Sequence, residues 1–217
     1  MDLLEQLSKK GIEIEQLAEE VIISPESIPL LFDGLNNKKV TLRFRCEKII
    51  RLISEKHPEI IYPYFDKIAI LLEADNNILK WGSIIIISNL ASVDAEKKID
   101  KIFKKYFSSV SGNQMITASN IVKSAWKIAL AKPSLIEKIT DEILKVEKTE
   151  YENKGGPSPE CNRIVCGHAI DSFSRFYEKI NNKKPVLDFV KRQLDNPRSS
   201  VAKKAEKFIK KHRIMIT

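Results

Sequence analysis

The chain has 217 residues, with 37 Lys and Arg against 29 Asp and Glu, a formal net charge of +8. At 43% hydrophobic and 30% charged it can bury a real core, which excludes wholesale disorder. Only seven glycines argue against barrels, sandwiches and nucleotide-binding α/β sheets, all of which need many tight turns or phosphate-cradling loops.

The N-terminal residues 1–23 carry an amphipathic pattern (Leu3, Leu4, Leu7, then Ile12, Ile14, Leu17, Val21). Acids at Asp2 and Glu5, with no basic-then-apolar run, are unlike a signal peptide. Residues 1–37 hold two lysines, Lys9 and Lys10, against eight acids, a net of −6. The other 180 residues therefore carry +14, and residues 179–217 alone carry +9. The pattern predicts an acidic terminal cap with a solvated outer face.

From residue 24 onward, polar turn clusters alternate with amphipathic runs. The clusters are Asn36-Asn37-Lys38, Asp75-Asn76-Asn77, Ser111-Gly112-Asn113, Gly155 to Pro159, and Asp195-Asn196-Pro197. Such groups break helices through fixed φ or local side-chain bonding. Upstream of each lies an amphipathic run: 25–35, 58–74, 94–110, 134–148 and 185–194. Four of these open at or beside Pro25, Pro58, Pro133 or Pro185, the residue suited to a first helical turn. The fifth is expected to start from Asp94 as a cap before Ala95-Glu96.

After each cluster a small residue is followed by apolar residues at +3 and +4, one face of a helix. The sets are Cys46 with Ile49/Ile50, Gly82 with Ile85/Ile86, Ala118 with Ile121/Val122, Cys166 with Ala169/Ile170, and Ala205 with Phe208/Ile209. The small residues lie 36, 36, 48 and 39 apart. The unit is helix, short turn, helix, stacked because no unit buries its apolar face alone. The run Asp195-Asn196-Pro197-Arg198-Ser199-Ser200-Val201-Ala202-Lys203-Lys204-Ala205 resembles the HEAT-repeat family of armadillo-type α-solenoids. The resemblance covers roughly residues 24–213. It implies an all-α, right-handed solenoid of about five stacked helix pairs. The expected organisation is one helical-repeat domain over 1–217: cap helices at 1–23, three repeats over 24–148, a loop insert at 149–160, and C-terminal repeats over 161–217.

Sequence signals for chemistry are sparse. No phosphate-loop, dinucleotide, metalloprotease or serine-hydrolase motif is present, and there are three histidines, His57, His168 and His212. Cys161, Cys166 and His168 form C-x4-C-x-H, but a zinc site needs a closed set of ligands and the second pair is missing. A buried thiol at Cys166, in the small-residue column, acts instead as a small hydrophobe. No metal and no cofactor are expected. Some HEAT-like proteins are DNA glycosylases that use tryptophans and an aspartate in a basic groove. The resemblance would draw on Trp81, Trp126, Asp171, Arg43 and Arg163. However, Trp81 is followed by Gly82-Ser83-Ile84-Ile85 rather than by arginines, and Trp126 falls at +8 from Ala118, on the core-facing stripe.

The basic surface is the stronger signal. In a helix-pair solenoid the second helices line the concave wall. Positions +2 and +5 from the small residue lie about 200° and 140° round the helix, away from the core. Position +2 gives Lys48, Ile84, Asn120, His168 and Lys207, and position +5 gives Arg51, Ile87, Lys123, Asp171 and Lys210. This ladder, basic at its rims and apolar at Ile84 and Ile87, suits an acidic protein segment as well as nucleic acid. A lysine-rich face is also ordinary solvation, and Lys203, Lys204, Lys207, Lys210, Lys211 and Arg213 complement the dipole of the last helix. The expected function is a non-catalytic scaffold that binds another macromolecule, a protein in the first reading, on its concave face. A nucleic-acid-binding module and an alkylated-base glycosylase stand as the alternatives. The longest apolar stretch, Ile84 to Ile87, is far too short to span a membrane, so a cytoplasmic location is expected.

Overall fold

The computed structural model describes residues 3–9 and 11–215. Met1, Asp2 and Lys10, which belong to the expected cap, lie outside the described residues, as do Ile216 and Thr217. The chain divides into two compact units, Met1–Ile102 and Phe103–Thr217. Among the described residues, no helix is long and apolar enough to cross a membrane.

The first unit contains α1 (Leu3–Ser8), α2 (Ile14–Ile23), α3 (Ile28–Gly34), α4 (Val40–Lys56), α5 (Pro58–Ile61), α6 (Phe65–Ile70), α7 (Asn77–Leu90) and the start of α8 (Lys98–Phe107). Helix α4 is its hub, packing against α1, α2, α3, α5 and α7. That contact is close because the facing residues are small. A Cβ on Gly34 would land on the Cys46 sulfur, and a Cβ on Gly82 would land on the Glu47 carboxylate. The acidic segment is charge-matched to α4 as well as solvated. Glu15 on α2 accepts from Lys48 at 2.7 Å, and Glu19 pairs with Lys56. Arg45 donates to the carbonyls of Leu7 and Lys9 and so satisfies groups left bare at the end of α1.

The turn clusters work as their residues suggest. Asn37, Asn76 and Asn196 each accept, through Oδ1, the backbone N–H two residues on, at 2.9, 3.0 and 2.9 Å. Asn76 also accepts from Leu79 N–H and caps α7. The run 58–74 is broken, not continuous. Pro63 sits in a 3-10 turn, Tyr62–Tyr64, which separates α5 from α6, because proline supplies no N–H to an unbroken ladder. Asp94 does cap a helix, but one that begins at Lys98 rather than Ala95. Its carboxylate accepts from Lys98 N–H, Ile99 N–H and the Tyr62 hydroxyl at 2.8, 3.0 and 2.7 Å. Lys97, at φ 54°, takes the left-handed turn that delays the start.

The second unit holds the end of α8, then α9 (Met115–Ala131), α10 (Ile136–Leu144), strands β1 (Glu152–Asn153) and β2 (Gly156–Pro157), α11 (Pro159–Phe176), α12 (Lys184–Arg192) and α13 (Ser199–Lys211). Helix α11 lies between α9 and α13, and α10 packs on α12. The small-residue column is buried throughout: Cys46, Ala118 and Ala205 are 0% exposed, Cys166 is 1%, and Gly82 is buried too. The residues at +3 and +4 are buried as well, apart from Ile85, which is half-buried.

The 149–160 segment is not the irregular loop expected from its composition. Glu152 and Asn153 pair antiparallel with Pro157 and Gly156 around a Lys154-Gly155 turn, both residues at positive φ (52° and 83°). A turn of that hand matches the twist of the flanking strands. Tyr151 pins the hairpin to the unit: it is fully buried, and its hydroxyl donates to the Val110 carbonyl at 2.7 Å.

Candidate functional site: the outer row of the second helices

The ladder residues of the first unit are either buried or already ion-paired. Ile84 and Ile87 are 1% and 0% exposed, so the expected apolar centre is core. The reason is that α7 is apolar nearly all round and is packed by α4, α5 and α6, so its wheel has no true outer face. The two cations are already engaged. Lys48 is bonded to Glu15, and Arg51 donates to Glu47 at 2.9 Å. Glu47 itself is 4% exposed, and burial holds its carboxyl above the usual range despite Arg51.

In the second unit the ladder falls on three adjacent helices. Asn120 and Lys123 lie on α9, His168 and Asp171 on α11, and Lys207 and Lys210 on α13, all exposed or half-buried. Lys123, Lys207 and Lys210 have no ion-pair partner among the described residues, whereas the Asp171 carboxylate is held by Lys204. Lys204 also reaches the Gly167 carbonyl, and Lys211 donates to Ser174, so these two lysines join α13 to α11. The close α11–α13 approach rests on Gly167, whose Cβ would sit 3.1 Å from Val201.

Sequence reasoning missed two further positions on the same face. Positions −2 and +9 from the small residue lie at about 160° and 180°, between and beside the positions already read. Position −2 supplies exposed apolar surface, with Ile116 47% exposed and Ile164 half-buried. In the first unit the same position is Phe44, at 44%. Position +9 supplies Lys127 and Arg175. The Arg175 guanidinium sits over the Trp126 ring, 4.4 Å from its centroid. Trp126 is thus half-buried beneath an arginine rather than sunk in the core stripe.

Of the other parts named for base excision, Asp171 and Arg163 are engaged elsewhere. Asp171 is paired with Lys204, and Arg163 is bonded to Glu160 at 3.4 Å. Arg43 and Trp81, in the first unit, are half-buried. Cys161 and Cys166 are buried thiols. The Cys161 sulfur lies 3.9 Å from the Glu152 carbonyl and the Cys166 sulfur 3.5 Å from the Asn162 amide oxygen. Burial pushes the Cys166 thiol up to about 12, which keeps it protonated and a poor metal ligand. Among the described residues no three His, Cys, Asp or Glu are grouped to hold a metal ion.

Burial, with Lys123 and Lys204 close by, pushes the His168 imidazole down to about 4. A depressed folded value means the fold accepts only the neutral ring. That contribution is complete above about 6.5 and is lost as pH falls toward 4. Discounted for the solvent screening of a half-buried ring, the loss between pH 7 and 5 is on the order of 1 kcal/mol. Thermal midpoints at the two pH values should therefore fall further for the wild-type chain than for His168→Gln. Equal falls would show that the ring is not held neutral.

No protein-family model and no curated protein sequence matches the chain. Solved structures do. An engineered protein from a structural genomics consortium superposes with TM-score 0.55 at 12% identity, covering 98% of this chain and 87% of its own. A designed armadillo repeat protein gives TM-score 0.58 at 14% identity, covering 96% of this chain and 98% of its own. Another designed armadillo repeat protein, in complex with the peptide (KR)4, gives 0.56 at 14%, covering 96% and 97%. The chain therefore has the all-α armadillo- and HEAT-like repeat fold that the helix-pair period implied.

Proposed function

We propose that the protein is a non-catalytic repeat scaffold that binds an acidic segment of another protein on the outer row of α9, α11 and α13. The observation that carries this reading is the charge of that row. It presents Lys123, Lys127, Arg175, Lys203, Lys207 and Lys210, and its acid, Asp171, is already paired with Lys204. Ile116 and Ile164 add apolar area at one end, of use to an aliphatic side chain and of none to a phosphate backbone. A similar fold in complex with the basic peptide (KR)4 supports peptide binding as a use of such a scaffold. The face described here is basic, so the ligand it suits is acidic.

The test is fluorescence anisotropy of a labelled Glu/Asp octapeptide, with (KR)4 and a short single-stranded oligonucleotide for comparison. The acidic peptide should bind near physiological salt, and (KR)4 should not. Combining Lys123→Glu, Lys207→Glu and Lys210→Glu should weaken binding at least tenfold, while Lys48→Glu, in the first unit, should leave it unchanged. Undiminished binding by the folded triple variant would overturn the reading. So would binding of the oligonucleotide alone, with the steep salt dependence of counterion release.

A further inference from the structure

We infer that Arg175, held over Trp126, is a preorganised anchor for a carboxylate of the bound segment; the inference rests on the scaffold reading above and names its most specific contact. Three of the other four arginines in this unit spend their guanidinium on the protein, Arg213 beyond the end of α13 being the exception. Arg163 donates to Glu160, Arg192 to both oxygens of Glu147, and Arg198 to Glu160 and Ser200. Arg175 is different. It is exposed, it lies on the outer face in the last turn of α11, and its guanidinium has no hydrogen-bond acceptor among the described residues.

Its one fixed contact is with a π face. That contact restrains the side chain through its cation while leaving the N–H edge unused. A carboxylate takes two parallel N–H bonds from such a fork, and a side chain already restrained loses less freedom on binding. Lys127, whose Nζ lies 5.8 Å from the same ring, and Lys123, one turn away on α9, raise the local potential for an anion. The same geometry disfavours nucleic acid. Sequence-tolerant strand binding relies on open aromatic faces for stacking, and Arg175 already occupies a face of Trp126.

The experiment uses the full chain and the labelled Glu/Asp octapeptide at physiological salt. Arg175→Lys keeps the charge and removes the fork, so it should weaken binding about tenfold or more. Lys203→Gln removes a whole charge from the same face and should cost about twofold. With a peptide carrying Gln for every Glu and Asn for every Asp, the penalty of Arg175→Lys should vanish. If wild type binds and Arg175→Lys binds equally, the anchor is overturned while the scaffold reading stands. If wild type fails to bind the acidic peptide, both fall. An Arg175-dependent affinity for the oligonucleotide in place of the peptide also overturns the anchor. A second readout does not depend on that variant folding. In a Trp81→Phe chain, peptide binding should change the Trp126 emission, and an unchanged spectrum at saturation counts against the anchor.

Discussion

Gly82→Leu should destabilise the protein by about 3 kcal/mol or more, read as a shift of the urea midpoint. The new Cβ would fall on the Glu47 carboxylate, with the Glu47 Cδ and Cγ only 2.7 Å away. Glu47 has no room to yield, being 4% exposed and bonded to Arg51. Either the carboxylate leaves Arg51 and is buried without its partner, or α4 and α7 separate. Both routes add to the ordinary cost of overpacking, which is about 1–3 kcal/mol. The proper control is Gly156→Leu, where nothing lies within 4 Å and the midpoint should barely move. Gly155 is a poorer control. It too has open space, but its φ of +83° makes any side chain there cost on the order of 1 kcal/mol. Equal midpoints for the Gly82 and Gly156 variants would show that α4 and α7 do not meet as described.

Tyr151→Ala should cost about 3–5 kcal/mol, the usual range for deleting a fully buried aromatic ring. It would also leave the Val110 carbonyl without its donor and free the 152–157 hairpin. Tyr151→Phe separates the two effects, since it loses the hydrogen bond alone and should cost about 1 kcal/mol. Limited proteolysis gives a second reading, with cleavage near Lys154 accelerated in the alanine variant and little changed in the phenylalanine one. If the alanine variant matches wild type in both stability and cleavage, the hairpin is not anchored by this ring.

These two residues show how unevenly the fold could be read from sequence. Gly82 was legible because it belongs to a column repeated at helical spacing, and periodicity survives without any knowledge of neighbours. The asparagine turns were legible because an Asx bond is made within two residues. Tyr151 was not legible. It stands in a polar Gly- and Pro-rich stretch with no period, and its partner Val110 is 41 residues away. The same distinction governs the site. Lys48 was read as surface charge because Glu15, which engages it, lies 33 positions earlier on another helix. The Arg51–Glu47 pair, at i and i+4, was within reach of sequence reasoning. Ile84 and Ile87 were misplaced because a wheel assigns a face only where one face is polar, and α7 has none. Arg175 and Ile116 follow from the same angular arithmetic carried to two more positions, but the Arg175–Trp126 contact joins two helices and needs the packing.

The central claim, that an acidic segment binds the outer row of α9, α11 and α13, is tested most directly by zero-length carbodiimide cross-linking. The reagent joins a lysine Nζ to a carboxylate only while the two are in contact. With the Glu/Asp octapeptide bound at physiological salt, peptide mapping should place the cross-links on Lys123, Lys207 and Lys210. Lys48 and Lys56, engaged by Glu15 and Glu19, should remain unmodified by the peptide. Cross-links scattered over the exposed lysines of both units, or concentrated on the first unit, would contradict the account.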